Sequence, residues 1–179
     1  ATLKRLTRLS ERLMQLARAE GARLLVDTPQ DLRPVLKIVA GDFSQGSDAG
    51  RLALSLPETP VPSDIDPDAV AILARNLIEN ALRHGQGAVS VTLGQDGSLC
   101  VQNDCPPIPS DELAALSGRF VRGKDAGDGS GLGLAIVHTI AERIGVPLRL
   151  TSPLPGKPTG LSACISLHGT TVSEQDRSR

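Results

Sequence analysis

Apolar residues recur at helical spacing through Leu6, Leu9, Leu13 and Leu16, while Lys4, Arg5, Arg8, Glu11, Arg12 and Arg18 occupy the other faces. This is an a/d seam of about two heptads, marginal alone in water, so the helix needs a partner outside the chain or packing from the rest of it. Gly21 ends it. A second helix is predicted over Asp31 to Phe43, with Leu32, Val35, Leu36 and Val39 on one face. Arg51 to Leu56 alternates with period two and reads as a strand, and Pro57 to Pro62 reads as a connection. Asp66-Pro67 is an N-cap followed by proline at the first helical position, opening a helix that Gly85 closes after His84. Ala88 to Leu93 and Ser98 to Gln102 alternate and are joined through Gln95-Asp96-Gly97 as a hairpin. Pro106, Pro107 and Pro109 forbid regular structure, and Ser110-Asp111-Glu112 caps a short helix reaching Leu116. Gly118 to Gly131 is loose, and Leu132 to Ile144 is a helix ended by Gly145. Leu148 to Leu150 and Ser162 to Leu167 form a last strand pair, and residues 170–179 are a polar tail. This order predicts an α/β protein: a two-layer α/β sandwich with a mixed sheet, after a helical lead-in.

Composition removes several classes of function. The 179 residues include two Phe and no Trp or Tyr, so no aromatic platform for stacking bases exists. A formal net charge of -1 gives no general attraction to nucleic acid or anionic lipid, and no nucleic-acid partner is expected. No apolar run is long enough to span a membrane. The start at Ala1 lacks both Met and a signal-peptide core, which suggests an excised piece of something larger. Three cysteines without a paired spacing suggest free thiols in a reduced compartment.

Two segments carry candidate chemistry. In Asn76-Leu77-Ile78-Glu79-Asn80-Ala81-Leu82-Arg83-His84, helical spacing puts Asn76, Asn80, Arg83 and His84 on one face, opposite Leu73, Leu77, Ile78 and Ala81. Two Asn inside a helix cost propensity, so either their amides are needed or the face is merely solvated. An Asn carbonyl oxygen is a hard ligand suited to Mg2+, and Arg83 and His84 can meet phosphate. In Gly129-Ser130-Gly131-Leu132-Gly133, a glycine-rich turn runs into a helix whose N-terminus favours anions, or it is only a structural loop. A dinucleotide fingerprint fails there for want of a preceding strand. A P-loop fails because Gly123-Lys124 is followed by Asp125.

Together, with a strand pair between them, these segments resemble the N-box and G2-box of the ATP-binding domain of sensor histidine kinases, in the superfamily shared with DNA gyrase and MutL. Arg119-Phe120-Val121-Arg122-Gly123 resembles the F-box, and Leu3 to Glu20 the second helix of the dimerisation and histidine-phosphotransfer hairpin. The resemblance implies a Bergerat-type ATP-binding fold over residues 23–169, with residues 1–22 as half of the hairpin. It implies Asn80 as a Mg2+ ligand and Asn76 as support for the phosphates or the metal's water shell. Arg83 and His84 then meet phosphates or the nucleotide edge. Gly129, Gly131, Leu132 and Gly133 bind phosphate through backbone N–H groups. Gly123 to Asp128 form the ATP lid, and Phe120 anchors it. The hydrolysing relatives place a water-activating Glu where Asn76 stands, and an amide cannot take that proton, which favours kinase over ATPase. The implied activity is binding of Mg-ATP and donation of its γ-phosphoryl to a histidine. The implied partners are a response regulator and a second copy through the hairpin, in the cytoplasmic domain of a bacterial inner-membrane protein whose membrane segments lie upstream.

The chain departs from the family in two places. The G1-box normally reads Asp-x-Gly-x-Gly, but here Asn103 stands at the Asp position and Cys105 and Pro107 at the two Gly positions. Asn103 can still accept from the adenine amine without charge assistance, a difference of roughly 1 kcal/mol or about five-fold in affinity. A one-residue shift would make Asp104 the partner instead. Ile108 and Leu132 supply an aliphatic wall for adenine. Oxidation of Cys105 beside this pocket is a possible tuning device. The altered G1-box also allows a different protein, a degenerate docking or regulatory module with weak or no nucleotide binding. The second departure is the phosphoacceptor. None of His84, His138 and His168 sits in an acceptor motif, so the acceptor is expected upstream of Ala1.

Overall fold

The computed structural model describes residues 11, 14–15, 17–21, 23–45, 48–116 and 132–168. Residues 11, 14–15 and 17–21 are helical and are labelled α1. The chain continues through β1 (Leu25–Asp31), α2 (Leu32–Gly41), β2 (Leu52–Ser55), β3 (Pro62–Ile65) and α3 (Pro67–His84). It then forms β4 (Gln86–Leu93), β5 (Ser98–Asp104), α4 (Ser110–Leu116), α5 (Leu132–Arg143), β6 (Arg149–Thr151) and β7 (Leu161–Ser166).

Five strands form a sheet in the order β2-β4-β5-β7-β6. β2 runs parallel to β4 and the remaining neighbours are antiparallel, so the sheet is mixed. A parallel pair needs a crossover, and α3 lies in the one between β2 and β4. The expected two-layer α/β sandwich is therefore the fold adopted. α3 begins where Asp66 accepts from the N–H groups of Asp68 and Ala69, with Pro67 following. Its apolar face, including Val70, Leu73, Leu77 and Ile78, joins one cluster with Val89, Val91, Leu99, Val101 and Ile165 of the sheet and Ile136 and Ile140 of α5. Each such side chain contributes about 1.5–3 kcal/mol when fully buried. Branched aliphatics close the core where aromatics are lacking.

Two strands lie outside the sequence expectation. β1 and β3 pair antiparallel as a separate two-stranded sheet. Neither alternates clearly: β1 contains Pro29 and β3 begins at Pro62. Polar bonds hold them instead. The Ser63 hydroxyl donates to the Leu167 carbonyl at 2.6 Å, tying β3 to the end of β7. The Asp31 carboxylate accepts from the Val61 N–H at 3.0 Å and caps α2 through the Arg33 N–H.

The expectation of three free thiols is corrected. Cys100 and Cys164 stand directly opposite in the β5–β7 ladder, with Cα atoms 4.2 Å apart, and are joined by a disulfide. Leu99 and Val101 on either side of Cys100 are buried, so the alternation of β5 turns Cys100 to the other face of the sheet. The two cysteines are 64 residues apart, and only the strand register brings them together. Cys105 remains a free, buried thiol.

Asp31 offers a test of the β1–α2 corner. Its hydrogen bonds from Arg33 come first, and with the Val61 N–H they lower its pKa from 3.8 to about 2 against an opposing desolvation. The side chain is 27% exposed, so solvent screening discounts this shift, and because asparagine would still cap the helix the loss is the ~0–1 kcal/mol typical of a solvent-accessible ion pair with Arg33. A depressed carboxylate pKa stabilises above the unfolded value and loses that contribution as pH falls through the folded one. Asp31→Asn is therefore expected to cost up to ~1 kcal/mol in urea unfolding at pH 7. The deficit should close between pH 3.8 and about 2. A deficit unchanged across that range would contradict the assignment.

Candidate nucleotide site

The last turns of α3 carry four of the expected residues. Asn76 is 2% exposed, Asn80 is half-buried, and Arg83 and His84 are exposed. The Asn76 amide donates from Nδ2 to the Ile72 carbonyl at 2.8 Å and to Gln15 Oε1 of α1 at 3.1 Å. Ile72 offers only a backbone acceptor, so the nitrogen must face it and the amide orientation is set. Asn76 Oδ1 is then left buried with no hydrogen-bond partner among the described residues. Such an acceptor costs about 1–3 kcal/mol unless a donor reaches it.

His84 keeps an exposed edge, but its ring loses part of its hydration. That loss first, and the Arg83 cation second, hold its pKa below the ordinary value. At neutral pH it is an uncharged imidazole, and positive charge at this end of α3 comes from Arg83.

Asn103 ends the buried face of β5 and is 4% exposed. Glycines clear the space around it on two sides. A Cβ at Gly85, the residue that closes α3, would stand 2.7 Å from Asn103 Cβ. At Gly160, where φ is +97°, a Cβ would lie 3.0 Å from the Asn103 carbonyl oxygen and against Leu154. These close approaches hold the end of α3 beside the end of β5. Asn103 Nδ2 is buried, and its polar neighbour is the Cys105 sulfur, a weak acceptor. Asp104 points the other way: it is exposed and accepts from the Thr159 hydroxyl at 2.7 Å.

The loop after β5 is pinned to the segment that joins β6 to β7. The Gly160 N–H donates to the Cys105 carbonyl at 2.7 Å, and the Ile108 N–H donates to the Ser152 hydroxyl at 3.0 Å. Ile108 is half-buried. Burial pushes the Cys105 thiol above its usual pKa, so it is not a poised thiolate. Leu132 and Gly133 open α5, which packs along α3, and both are half-buried. Phe120, Gly129, Gly131 and the Gly123–Asp128 stretch lie outside the described residues. His138 is engaged structurally, its Nε2 donating to the Leu116 carbonyl at 2.9 Å.

Sequence reasoning missed Gln15, Gly160 and Ser152, and saw Gly85 only as a helix stop. Nothing local marks Gln15, since its bond to Asn76 spans 61 residues. A separate polar cleft of about 620 Å³ lies along Arg75, Glu79 and Arg83 of α3, faced by Glu11 and Gln15. It shares only Arg83 with the expected site.

The residues present fit a hydrated magnesium ion and a nucleotide. Among the described residues no three His, Cys, Asp or Glu side chains form a metal cage. Mg2+ needs none, because it keeps several waters and takes one or two protein oxygens beside substrate phosphates. The orphaned Asn76 acceptor matches the O–H donors of such waters, and ionised phosphate has no proton to give it. The buried, glycine-cleared Asn103 amide suits the polar edge of a base.

Residues 65–173 match the family described as histidine kinase-, DNA gyrase B- and HSP90-like ATPase. The signal transduction histidine-protein kinase BaeS of Escherichia coli is 35% identical over 149 residues, covering 76% of this chain and 32% of that protein. The E. coli sensor protein QseC is 32% identical over 151 residues, covering 80% and 33%. The chain thus spans about a third of the length of these relatives. Among solved structures, the mycobacterial sensor histidine kinase MprB superposes with a TM-score of 0.65 at 26% identity, covering 76% of this chain and 95% of that one. The histidine kinase domain of the E. coli osmosensor EnvZ superposes with a TM-score of 0.60 at 27% identity, covering 84% and 94%. With its amide-bearing α3, its mixed sheet and these relatives, the chain belongs to the histidine kinase-, DNA gyrase B- and HSP90-like ATPase family, as a catalytic ATP-binding domain of the sensor histidine kinase type.

Proposed function

We propose that this domain binds Mg-ATP and donates the γ-phosphoryl to a histidine on a dimerisation helix outside the chain. The observation that carries this is the buried, unpartnered carbonyl oxygen of Asn76 within α3. Asn80 supplies a carbonyl oxygen to Mg2+, and Asn76 accepts from the metal's waters. When bound, the ion offsets charge building on the phosphates. Arg83 anchors phosphate by charge and His84 by hydrogen bonding, while Asn103, Ile108 and Leu132 hold the base. Gly133, with Gly129 and Gly131, presents backbone N–H groups to phosphate. Phe120 anchors the lid.

Phosphoryl transfer depends mainly on positioning and electrostatics, which suits an amide rather than a water-activating carboxylate at position 76. The acceptor nitrogen attacks the γ-phosphorus, the bond to the β–γ bridging oxygen breaks, and ADP leaves. Two of the three histidines are accounted for within this domain and none lies in an acceptor motif, so the acceptor comes from another segment. α1 is read as the end of the dimerisation hairpin, which brings a second copy and a response regulator as partners. Among the described residues no helix is long and apolar enough to cross a membrane. Cytoplasmic placement and membrane attachment through other segments are part of this proposal. The degenerate-module alternative gains no support from the relatives.

Without Trp or Tyr in the chain, calorimetry is the method of choice. Asn80→Ala is expected to weaken Mg-ADP binding roughly ten-fold or more, and unchanged affinity would sink the metal assignment. Asn103→Asp should tighten ADP about five-fold by restoring charge assistance to the adenine amine. No change there would remove Asn103 from the base pocket. Because His84 is neutral at pH 7, wild-type affinity for Mg-ADP should rise as pH falls below 6.5 and His84 gains its proton. A His84→Gln variant showing the same pH profile would remove His84 from the phosphate site.

A further inference from the structure

We propose that Gln15 of α1 is a positioning residue for the metal: it holds the Asn76 amide so that its carbonyl faces the bound ion's water shell. This rests on the Mg-nucleotide reading above and extends it to a residue outside the nucleotide site.

Asn76 Nδ2 has two hydrogens, and both are used. One goes to the Ile72 carbonyl within α3, and the other goes to Gln15 Oε1 at 3.1 Å. The first bond fixes which end of the amide is nitrogen. The second comes from a different helix and restrains rotation of the amide plane about its own bond to Cβ. With both nitrogen hydrogens engaged, Oδ1 is the only group of Asn76 left to meet a ligand, and it is buried and unpartnered. A buried acceptor discriminates between ligands: metal-bound water donates to it and an ionised phosphate oxygen does not. Gln15 therefore contributes to affinity for the metal complex of the nucleotide rather than for the nucleotide alone. The bond also makes metal affinity depend on where α1 sits against α3. The end of α1 is itself anchored to the helix layer, since Ala19 is buried and the Arg143 guanidinium donates to its carbonyl.

The test is calorimetric titration of the whole chain with ADP, once with excess Mg2+ and once with EDTA. The readout is the ratio of the two dissociation constants. Gln15→Leu removes the acceptor at similar volume, and Gln15→Glu keeps an acceptor oxygen at the same reach. Gln15→Leu should reduce the magnesium advantage about five-fold while leaving ADP in EDTA within about two-fold of wild type. Gln15→Glu should match wild type or exceed it. Equal weakening in both arms, no change in either, or a Gln15→Glu variant as poor as Gln15→Leu would overturn the proposal. Failure of the underlying nucleotide reading is seen separately, as wild-type protein that binds ADP in neither arm, and it overturns this inference with it.

Discussion

Helix α3 has to satisfy two opposite demands along the same turns. Val70, Leu73, Ala74, Leu77, Ile78 and Ala81 must be buried for the helix layer to close on the sheet. Asn76 lies among them at 2% exposure, a polar side chain in the position of a core residue. A buried carboxamide is tolerated only when its donors and acceptor are matched, and in this chain the donors are matched and the acceptor is not. Stability alone would favour an apolar residue there. The mismatch therefore points to a ligand, and the rest of the structure follows from keeping α3 rigid beneath it. The Asp66-Pro67 start, the crossover from β2 to β4 and the packing of α5 all serve that end.

The second part of the proposed site depends on backbone proximity rather than on side-chain bulk. Gly85 and Gly160 let the end of α3 and the loop before β7 close on Asn103, where a methyl group at either position would collide. The chain has no Tyr or Trp to lie against a base. In the proposed pocket, aliphatic walls, one uncharged amide and phosphate contacts take that role. The altered G1-box is consistent with that design: the loop from Cys105 to Ile108 is held by bonds to Gly160 and Ser152 rather than by glycine freedom. Asp104 faces outward to Thr159, which leaves Asn103 as the residue turned toward the helix layer.

Local chemistry made much of this legible. An N-cap with proline and a 3.6-residue period marked α3, and alternation with an Asp-Gly turn marked the β4–β5 hairpin. Asn76 and Asn80 could be singled out because amides inside a helix cost propensity, and Asn103 because it stands at the Asp position of the resembled G1-box. What escaped was everything set by tertiary register. β1 and β3 carry proline and little alternation, and they exist because Asp31 and Ser63 find partners far along the chain. The Cys100–Cys164 link and the Gln15–Asn76 bond join residues 64 and 61 positions apart, with no local pattern to announce either. Gly160 looked like loop composition, and its role emerges only from what stands 3.0 Å away.

The central claim is that amides of α3 and β5 hold a magnesium nucleotide. Side-chain carboxamide signals in a 1H–15N NMR spectrum, followed during titration with Mg-ADP, test it most directly. The account predicts saturable shifts of the Asn76, Asn80 and Asn103 NH2 resonances, with Gln30 and Gln102 unmoved. Asparagine signals that stay in place at saturating nucleotide would contradict it.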